Sequence, residues 1–442
     1  MTKKQTEKRY IITFTDSTTD QNSAAEILDI AQDTIQDGVS LLATDAVLTP
    51  TDVLHFEGLG AASLTLSATD VDRYKNDKRV LAVEEDLEMH FLHDESEPWQ
   101  KNPFIDASQQ DLLAQSYQRG YQQGISDFYQ KILADAKTLH GSAATSASAT
   151  SLIPPIIFTS QPIPWNINLV NAPQAWARGY RGNGVKVAVL DTGIAAHADL
   201  VISGGVSFVP GVVSSNDGHG HGTHCAGVIG ARNNTIGVVG VAPMASLYAV
   251  KVLSDAGSGQ TSWILAGMAW ARQNGMNVIS MSLGSPSCQS VAYTNAIAQL
   301  NAAGVTVVCA AGNSGGTTFP CVGSPANSLG TIAVAAVDAN KVKASFSSSG
   351  TTCCPPGANP VSISAPGVSI NSTVPGGYKL MSGTSMACPH VAGAAALVKQ
   401  RFPTFTPAQI KAKLMATATD LGTPGNDPSY GAGLVNCNLA TL

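Results

Sequence analysis

Charge is scarce in this sequence. Only 13% of its 442 residues are charged, and the net charge is −6. Basic residues are scattered, which argues against nucleic acid or an anionic membrane as the main partner. Long apolar runs are absent too: a typical run, 185–190, suits a buried strand and is far too short to cross a bilayer. Hydrophobic residues nevertheless reach 44%, with 42 glycines, so a large core joined by tight turns is expected.

The N-terminal stretch MTKKQTEKRY lacks the apolar segment of a secretory signal. Either such a signal is missing from this sequence, or the protein stays inside the cell. Cysteine is absent before Cys225, and the eight cysteines allow two or three disulfides. This gives a small preference for an oxidising compartment, so we expect a secreted protein, with an intracellular one as the alternative.

Composition and periodicity predict three segments. Residues 1–92 are expected to form a small α+β, ferredoxin-like unit, with helices at 24–36 and 68–75 and strands at 10–14, 53–56, around Leu64 and at 80–83. Residues 93–159 are expected to form a helix at 106–137 and a flexible small-residue linker at 141–151. The apolar stripe of that helix indicates packing on a neighbour or, alternatively, a partner site.

The third segment, residues 160–442, alternates apolar strands with helices. Strands are predicted at 185–190, 246–252, 278–282, 305–310 and 332–337, and helices near Gly222, Trp263, Val291, Thr384 and Thr406. This alternation is typical of an α/β fold, a parallel sheet with helices on both faces. Ligands of such sheets bind at the carboxyl ends of the strands.

Four polar residues stand where a strand ends or a helix begins. Asp191 ends the run 185–190, and Asn313 follows the run 305–310 in CAAGNSG. His221 opens the helix that begins HGTHCAG, and Ser385 lies at the start of another helix, in GTSMACPH. Serine at a helix start meets backbone N–H groups and the helix dipole, which favour an oxyanion beside it. Each signal alone also fits an ordinary turn or cap.

Histidines and a cysteine crowd around His221, so a zinc site is an alternative interpretation. His219, His221, His224 and Cys225 offer the ligand types that zinc prefers. Their spacing argues against it, because two of them are adjacent and two are separated by one residue.

The order Asp, His, Asn, Ser, each in its local setting, is one of the recognised orders of a serine-protease triad with an oxyanion donor. From about Gln161 to the C-terminus the sequence resembles the subtilisin family, and GHGTHC resembles the thermitase and proteinase K branches. The resemblance implies that Ser385 attacks the peptide carbonyl and that His221 transfers the proton. It also implies that Asp191 holds the imidazolium and that Asn313 donates to the oxyanion.

The resemblance also implies how substrate and metal bind. Two strands and the base of the P1 pocket, which holds the side chain before the cleaved bond, are expected at Ser258, Gly259, Gln260, Ser282, Leu283, Gly284 and Gly323. Gly323 is expected to leave room for a large apolar P1 side chain, and Thr261 to leave the P4 pocket open. A structural Ca²⁺ site is expected at Gln161, Asp199, Arg232, Asn234, Ile236 and Val238, whose ligand atoms are all oxygen. An ion-free polar loop is the alternative.

Residues 1–92 resemble the family's propeptide, which acts as a folding chaperone and an intramolecular inhibitor. Its exit strand is expected to end at Leu92, but about 67 residues then precede the resembling catalytic segment. Three functions follow as hypotheses: a monomeric secreted endopeptidase that cleaves proteins and peptides, an intracellular processing protease, and a non-enzymatic binding scaffold. The intact motifs argue against the last.

Overall fold

The computed structural model describes residues 7–92, 161–350 and 360–442. The predicted helix at 106–137 and the predicted linker at 141–151 lie outside the described residues. Below, residues 7–92 are called the N-terminal region, and residues 161–350 with 360–442 the C-terminal region.

The N-terminal region is a five-stranded sheet with three helices. Its strands lie in the order β2-β3-β4-β1-β5, antiparallel except for the β2–β3 pair. The elements are β1 Lys8–Phe14, α1 Gln21–Leu28, β2 Ile35–Asp37, α2 Gly38–Leu42, β3 Val53–Phe56, β4 Ala61–Leu66, α3 Ala68–Lys75 and β5 Val80–Glu85. Without β2 and α2, this is the β-α-β-β-α-β order of the expected ferredoxin-like unit.

Local signals explain most of these boundaries. The prediction for α3 is confirmed, and Ser67 begins the helix with a capping box closed by Asp70. The prediction of one helix over 24–36 is wrong. Helix α1 ends at Leu28 because Asp29 adopts a left-handed conformation, with a φ of 54°, and the following Ile35 joins the sheet.

The sheet of the N-terminal region uses its two faces differently. Ile12 packs with Phe14, Leu28 and Leu64 in the region's own core. Its neighbour Ile11 points the other way and belongs to the core of the C-terminal region. Because side chains alternate along a strand, one sheet serves both cores.

The C-terminal region is an α/β unit built on a seven-stranded parallel sheet. The strand order is β15-β14-β13-β11-β7-β9-β8, and all six strand pairs are parallel. These strands are β7 Lys186–Asp191, β8 Ile202–Ser207, β9 Ser246–Lys251, β11 Val278–Met281, β13 Thr306–Ala310, β14 Ile332–Val337 and β15 Ile363–Pro366. The expected α/β fold is confirmed.

Helices cover this sheet. They are α4 Trp165–Leu169, α5 Ala172–Ala177, α6 His221–Gly230, α7 Thr261–Gln273, α8 Val291–Ala302, α9 Thr384–Arg401, α10 Pro407–Ala416 and α11 Cys437–Ala440. Five of them begin within two residues of their predicted starts. The prediction omitted β8, whose sequence ISGGVS carries two glycines and weak strand propensity.

The two regions share a small three-stranded sheet. Its middle strand, β6 Glu88–Phe91, belongs to the N-terminal region, and its outer strands are β10 Ser258–Gln260 and β12 Leu283–Gly284. Both pairings are antiparallel. A separate hairpin joins β16 Ile370–Val374 to β17 Gly377–Met381. The shared sheet brings the end of the N-terminal region to the carboxyl edge of the large sheet.

Candidate active site

Asp191 and His221 meet at the carboxyl edge of the seven-stranded sheet. Asp191 is the last residue of β7, and His221 is the first residue of α6. Nδ1 of His221 lies 2.7 Å from Oδ1 of Asp191, and both side chains are buried. This contact holds the imidazole in one orientation and leaves Nε2 as its second reactive nitrogen.

Ser385 lies in the first turn of α9. Its Oγ donates to the carbonyl oxygen of Ser282 over 2.9 Å and accepts from the backbone N–H of Leu92 over 3.0 Å. Its backbone N–H donates to the carbonyl oxygen of Leu92 over 3.2 Å. Nε2 of His221 has no hydrogen-bond partner among the described residues. The Ser385 hydroxyl therefore contacts the strand in the cleft rather than the imidazole.

Asn313 follows β13 and contacts the start of α9. Its Oδ1 accepts from the backbone N–H and the hydroxyl of Thr384, over 2.9 Å and 2.8 Å. Its Nδ2 is shielded from solvent and has no partner in the described parts of the chain. The side chain is thus fixed through its oxygen, which leaves an amide donor available near Ser385.

The predicted substrate strands are β10 and β12, and both bind residues 88–91. Gly259 lies opposite Met89 and Gly284 opposite His90. At the end of the ladder, the backbone N–H of Leu92 also lies 3.3 Å from the carbonyl oxygen of Ser282. The residues predicted for this role that line the groove are Ser258, Gly259, Gln260, Ser282, Leu283 and Gly284.

Gly323 lies next to the backbone of Ser285, the residue that follows β12. A Cβ built on Gly323 would lie 2.4 Å from the carbonyl oxygen of Ser285. Close approach of two backbones therefore requires glycine here, and the expectation that it leaves room for a side chain does not follow from this contact. Thr261, expected to leave a pocket open, donates both its N–H and its hydroxyl to the carbonyl oxygen of Leu87.

The sequence interpretation missed Asp217, a buried carboxylate beside the Asp191–His221 pair. It accepts five hydrogen bonds of 2.6–2.9 Å, from the hydroxyls of Thr192 and Thr223 and from the N–H groups of His219, Gly220 and Thr223. It thus ties the turn after Asp191 to the first turn of α6. In the sequence, Asp217 before a glycine is indistinguishable from an ordinary turn residue.

A buried lysine completes the same network. Nζ of Lys251, at the end of β9, donates to the carbonyl oxygen of Thr192 over 2.5 Å and to Oδ1 of Asp255 over 2.6 Å. The same Oδ1 accepts from the N–H of Gly218 over 3.1 Å. The only sequence signal was a lysine ending an apolar strand, which also suits a solvated strand end.

The potential zinc ligands that the structure groups together differ from the four considered from the sequence. Nε2 of His224 lies 2.9 Å from the carbonyl oxygen of Ile370, so His224 faces the β16–β17 hairpin. Asp191, His221 and Cys225 have ligand atoms within 4.8 Å of one another. Burial raises the pKa of the Cys225 thiol well above its usual value, which disfavours the thiolate that zinc requires.

A second polar cluster lies away from this site and contains the residues predicted to bind calcium. Asp199 accepts from Nδ2 of Asn234 and from the N–H of Val238, both over 2.8 Å. Oε1 of Gln161 accepts from the N–H of Asn234 over 2.9 Å, and its Nε2 contacts the carbonyl oxygens of Ile236 and Val238. The carbonyl oxygen of Asp199 accepts from the N–H of Arg232 over 2.9 Å.

The donor set of this cluster fits a hard cation. It offers one carboxylate, two amide oxygens and backbone carbonyls, and no nitrogen or sulfur ligand is needed. Burial raises the pKa of the Asp199 carboxyl, and its hydrogen bonds from Val238, Asn234 and Tyr378 offset only part of that rise. A divalent cation would favour the ionised carboxylate further.

Four of the described cysteines lie in the hydrophobic cores. Cys225, Cys309, Cys388 and Cys437 are buried free thiols, and Cys321 is disulfide-bonded. With four of the eight cysteines free, the remaining four can form at most two bridges, so the upper estimate of three was wrong.

Among the described residues, no helix is long and apolar enough to cross a bilayer.

Comparison with known proteins assigns the family. The Subtilase family model matches residues 182–433. The chain is 52% identical to alkaline elastase YaB of Bacillus sp. (strain YaB) over 286 residues, which cover 64% of this chain and 72% of that protein. It is also 52% identical to subtilisin Savinase of Lederbergia lenta over 283 residues, covering 64% and 100%.

An alkaline protease of Shouchella clausii is similar to the same extent, 52% over 283 residues, covering 64% of this chain and 70% of that protein. The family model covers the segment that carries the parallel sheet and the residues Asp191, His221 and Ser385. By these matches the chain belongs to the subtilase family, and it is a serine endopeptidase, a hydrolase of peptide bonds.

Proposed function

We propose that this endopeptidase is a self-processing zymogen. Residues 1–92 act as its intramolecular inhibitor and folding chaperone, and residues 160–442 cleave protein and peptide substrates with the triad Asp191, His221 and Ser385. The first cut follows Leu92. The observation that carries the proposal is the contact of the Leu92 carbonyl oxygen with the Ser385 backbone N–H, at 3.2 Å.

The pairing of residues 88–92 supports this register. An extended peptide that adds a strand to a sheet edge presents its backbone regardless of side chain, as a protease substrate must. Here the ladder runs between β10 and β12 and ends with Leu92 at Ser385. Leu92 is therefore the P1 residue of the precursor, with Phe91 as P2 and Met89 as P4.

The chemistry follows from the groups around Leu92. Ser385 Oγ attacks the Leu92 carbonyl carbon, and its proton passes to Nε2 of His221, whose Nδ1 is held by Asp191. For this the hydroxyl must leave the Ser282 carbonyl oxygen and turn toward Nε2. The oxyanion accepts from the Ser385 N–H and from Nδ2 of Asn313. His221 then protonates the leaving amine, and water hydrolyses the acyl-enzyme by the same steps.

Two carboxylates of the N-terminal region contact the protease outside the substrate groove. They support the proposal that this region is an inhibitor and not only a substrate. Glu84 accepts from the N–H groups of Val291 and Ala292 at the start of α8, over 3.1 Å and 2.7 Å. Asp86 accepts from the N–H of Ser262 at the start of α7, over 2.9 Å. Two helices of the protease thus receive hydrogen bonds at their N-termini from the inhibitor, in addition to the cap that Ser290 provides for α8, and these contacts favour retention after the cut.

The proposed preference for a large apolar P1 residue is supported by Leu92 itself. Its side chain is half-buried and packs against the C-terminal core, and a Cβ on Gly284 would lie 3.2 Å from its Cδ1. Met89 is fully buried in the neighbouring cluster. Large aliphatic side chains therefore fill both sites.

We also propose that Gln161, Asp199, Arg232, Asn234, Ile236 and Val238 hold a structural Ca²⁺ ion. The ion would supply charge compensation for Asp199 and fix the loop around Asn234. Gln161 already contacts this cluster in the uncut chain, while Leu92 lies at Ser385. This supports a calcium site complete before processing, so that maturation would relieve inhibition rather than finish the fold.

We further propose that the protein is a monomer and that it acts outside the cell. The disulfide at Cys321 supports the extracellular location, because disulfides persist in oxidising compartments. An intracellular processing protease remains the second candidate. Reductant sensitivity separates the two, since an enzyme built for the cytosol should keep its activity in dithiothreitol.

The self-processing test follows the first cut. Purified full-length chain is incubated, and N-terminal sequencing with intact-mass measurement identifies the products over time. We expect a first product beginning at residue 93, followed by trimming near residue 160. Leu92→Asp should slow the first cut strongly, whereas Leu81→Asp, at a position 55% exposed, should not. A first cut inside 143–151, with the bond after Leu92 intact, would contradict the proposed register.

A further inference from the structure

The P2 side chain of the bound strand lies among imidazole rings. The ring centroid of Phe91 is 4.7 Å from that of His219 and 4.7 Å from that of His221, with interplanar angles of 46° and 34°. The two imidazoles are 6.4 Å apart and nearly perpendicular. Such tilted arrangements at this separation are favourable for aromatic pairs.

The opposite wall of this site is backbone. A Cβ built on Gly257 would lie 2.1 Å from Cε1 of Phe91, and Gly257 has a φ of +84°. The Gly257 carbonyl oxygen accepts from the Phe91 N–H over 3.3 Å, which sets the distance between the two chains. The site therefore admits a flat ring between Gly257 and the imidazoles.

His219 is placed for this contact by the protease, not by the inhibitor. Its backbone N–H donates to Oδ1 of Asp217 over 2.9 Å, in the network that also holds the first turn of α6. Burial lowers the pKa of His219, and the neighbouring His221 lowers it further. A neutral imidazole at neutral pH can lie against an apolar ring without desolvating a charge.

We infer that this protease selects an aromatic side chain at P2, and that His219 is the residue that determines this preference. The inference rests on the proposed function, since it takes Leu92 as the P1 residue. It identifies the substrate class more closely: peptides in which an aromatic residue precedes a large aliphatic residue at the cleaved bond. His221 lines the site too, but it belongs to the triad, so His219 is the position free to set specificity.

The test compares peptides that differ only at P2. Full-length chain is incubated until self-processing is complete, and active sites are counted with a serine-directed phosphonate. The substrates are acetyl-Met-His-Phe-Leu-p-nitroanilide and its analogues with alanine or cyclohexylalanine in place of phenylalanine. We expect kcat/KM for the phenylalanine peptide to exceed that for the alanine peptide about tenfold and that for cyclohexylalanine about threefold.

Variants assign the preference to His219. In His219→Ala the phenylalanine-to-alanine ratio should fall below about threefold, and His219→Asn should behave alike, because both lack the ring. His219→Phe should keep the ratio near the wild-type value. The two variants without a ring differ in size and polarity. If one of them fails to fold, the other still tests the role of His219.

The outcomes separate this inference from the proposed function. Equal kcat/KM for all three peptides, with normal cutting after Leu92, overturns the inference alone. A wild-type ratio retained in His219→Ala or His219→Asn shows that another residue sets it and overturns the role of His219. Failure of the wild type to cleave any of the peptides, with the bond after Leu92 uncut, contradicts the proposed function itself.

Discussion

The N-terminal and C-terminal regions bury their sheets in different ways. Strands β13 and β14 of the C-terminal region are buried at every residue, because helices of the same region cover both faces. The N-terminal sheet has its own core on one face only, around Ile12 and Phe14. Its other face packs on residues of α7 and α8, including Ile264 and Ala292.

This difference indicates which region depends on the other. The seven-stranded sheet is covered by helices of its own region, whereas one face of the N-terminal sheet is covered only by its neighbour. Apolar burial is the main favourable term in folding, so folding and binding of the N-terminal region are expected to be coupled. The polar contacts across the boundary then decide how tightly the two regions hold together.

Ser385→Ala should produce the largest effect and stop the reaction that separates the regions. We expect loss of about 10⁶-fold in kcat, the magnitude known for a subtilisin and adopted as such, with the precursor left uncut. Hydrolysis of a chromogenic peptide and intact mass would measure both. The exposed Ser214→Ala is the matched control. Wild-type turnover in Ser385→Ala would refute the assignment of the nucleophile.

Asn313→Leu should come next, because it removes the unpartnered amide donor while keeping the size of the side chain. The loss known for such a donor in a subtilisin is about 100- to 1000-fold in kcat, again an adopted value. KM should change little, since the donor acts on the oxyanion rather than on the bound peptide. A rise in KM at unchanged kcat would instead place Asn313 in ground-state binding.

Calcium removal should weaken the C-terminal region without touching the chemistry. A ligand at a hundredfold excess over its Kd stabilises the folded state by about 2.7 kcal/mol. For a region of this size we expect a thermal midpoint about 5–10 °C lower in EGTA than in millimolar calcium. The phosphonate-blocked mature enzyme is the sample for this measurement.

Asp199→Asn should abolish most of that calcium-dependent difference, because it removes the buried carboxylate of the cluster. Asp420→Asn removes an exposed carboxylate of the same region and should leave the difference intact. Equal midpoints in EGTA and calcium for the wild type would count against the site.

The boundary carboxylates should give the smallest effects. Glu84→Gln and Asp86→Asn weaken the hydrogen bonds that the N-terminal region makes to the starts of α8 and α7, at about 1 kcal/mol each. Urea unfolding of the uncut Ser385→Ala chain would measure the loss of free energy of unfolding. Hydrogen exchange at Ser262 and Ala292 would show whether the loss lies at the two helix starts. Glu85→Gln is the control, because Glu85 pairs with Lys8 at an exposed site. An equal loss of stability in Glu84→Gln, Asp86→Asn and the control would show that the contacts at the helix starts have no particular importance.

Local sequence was sufficient for the elements that depend on near neighbours. Helix α3 follows from Ser67 and Asp70, which close a capping box three residues apart, and β14 follows from six consecutive apolar residues. The motifs around Asp191, His221, Asn313 and Ser385 were visible for the same reason, since each is contained within a few consecutive residues. The end of α1 was missed because a left-handed Asp29 is a rarer choice than glycine.

Tertiary structure alone decided the contacts between residues distant in the chain. The five hydrogen bonds of Asp217 join two separate segments, and the requirement for glycine at Gly323 comes from the backbone of Ser285. The strand pairing that seats Leu92 at Ser385 spans almost 300 positions, and the same pairing brings Phe91 to His219. No local sequence pattern predicts these contacts. They depend on how the packed cores of the two regions position the sheet edges that pair.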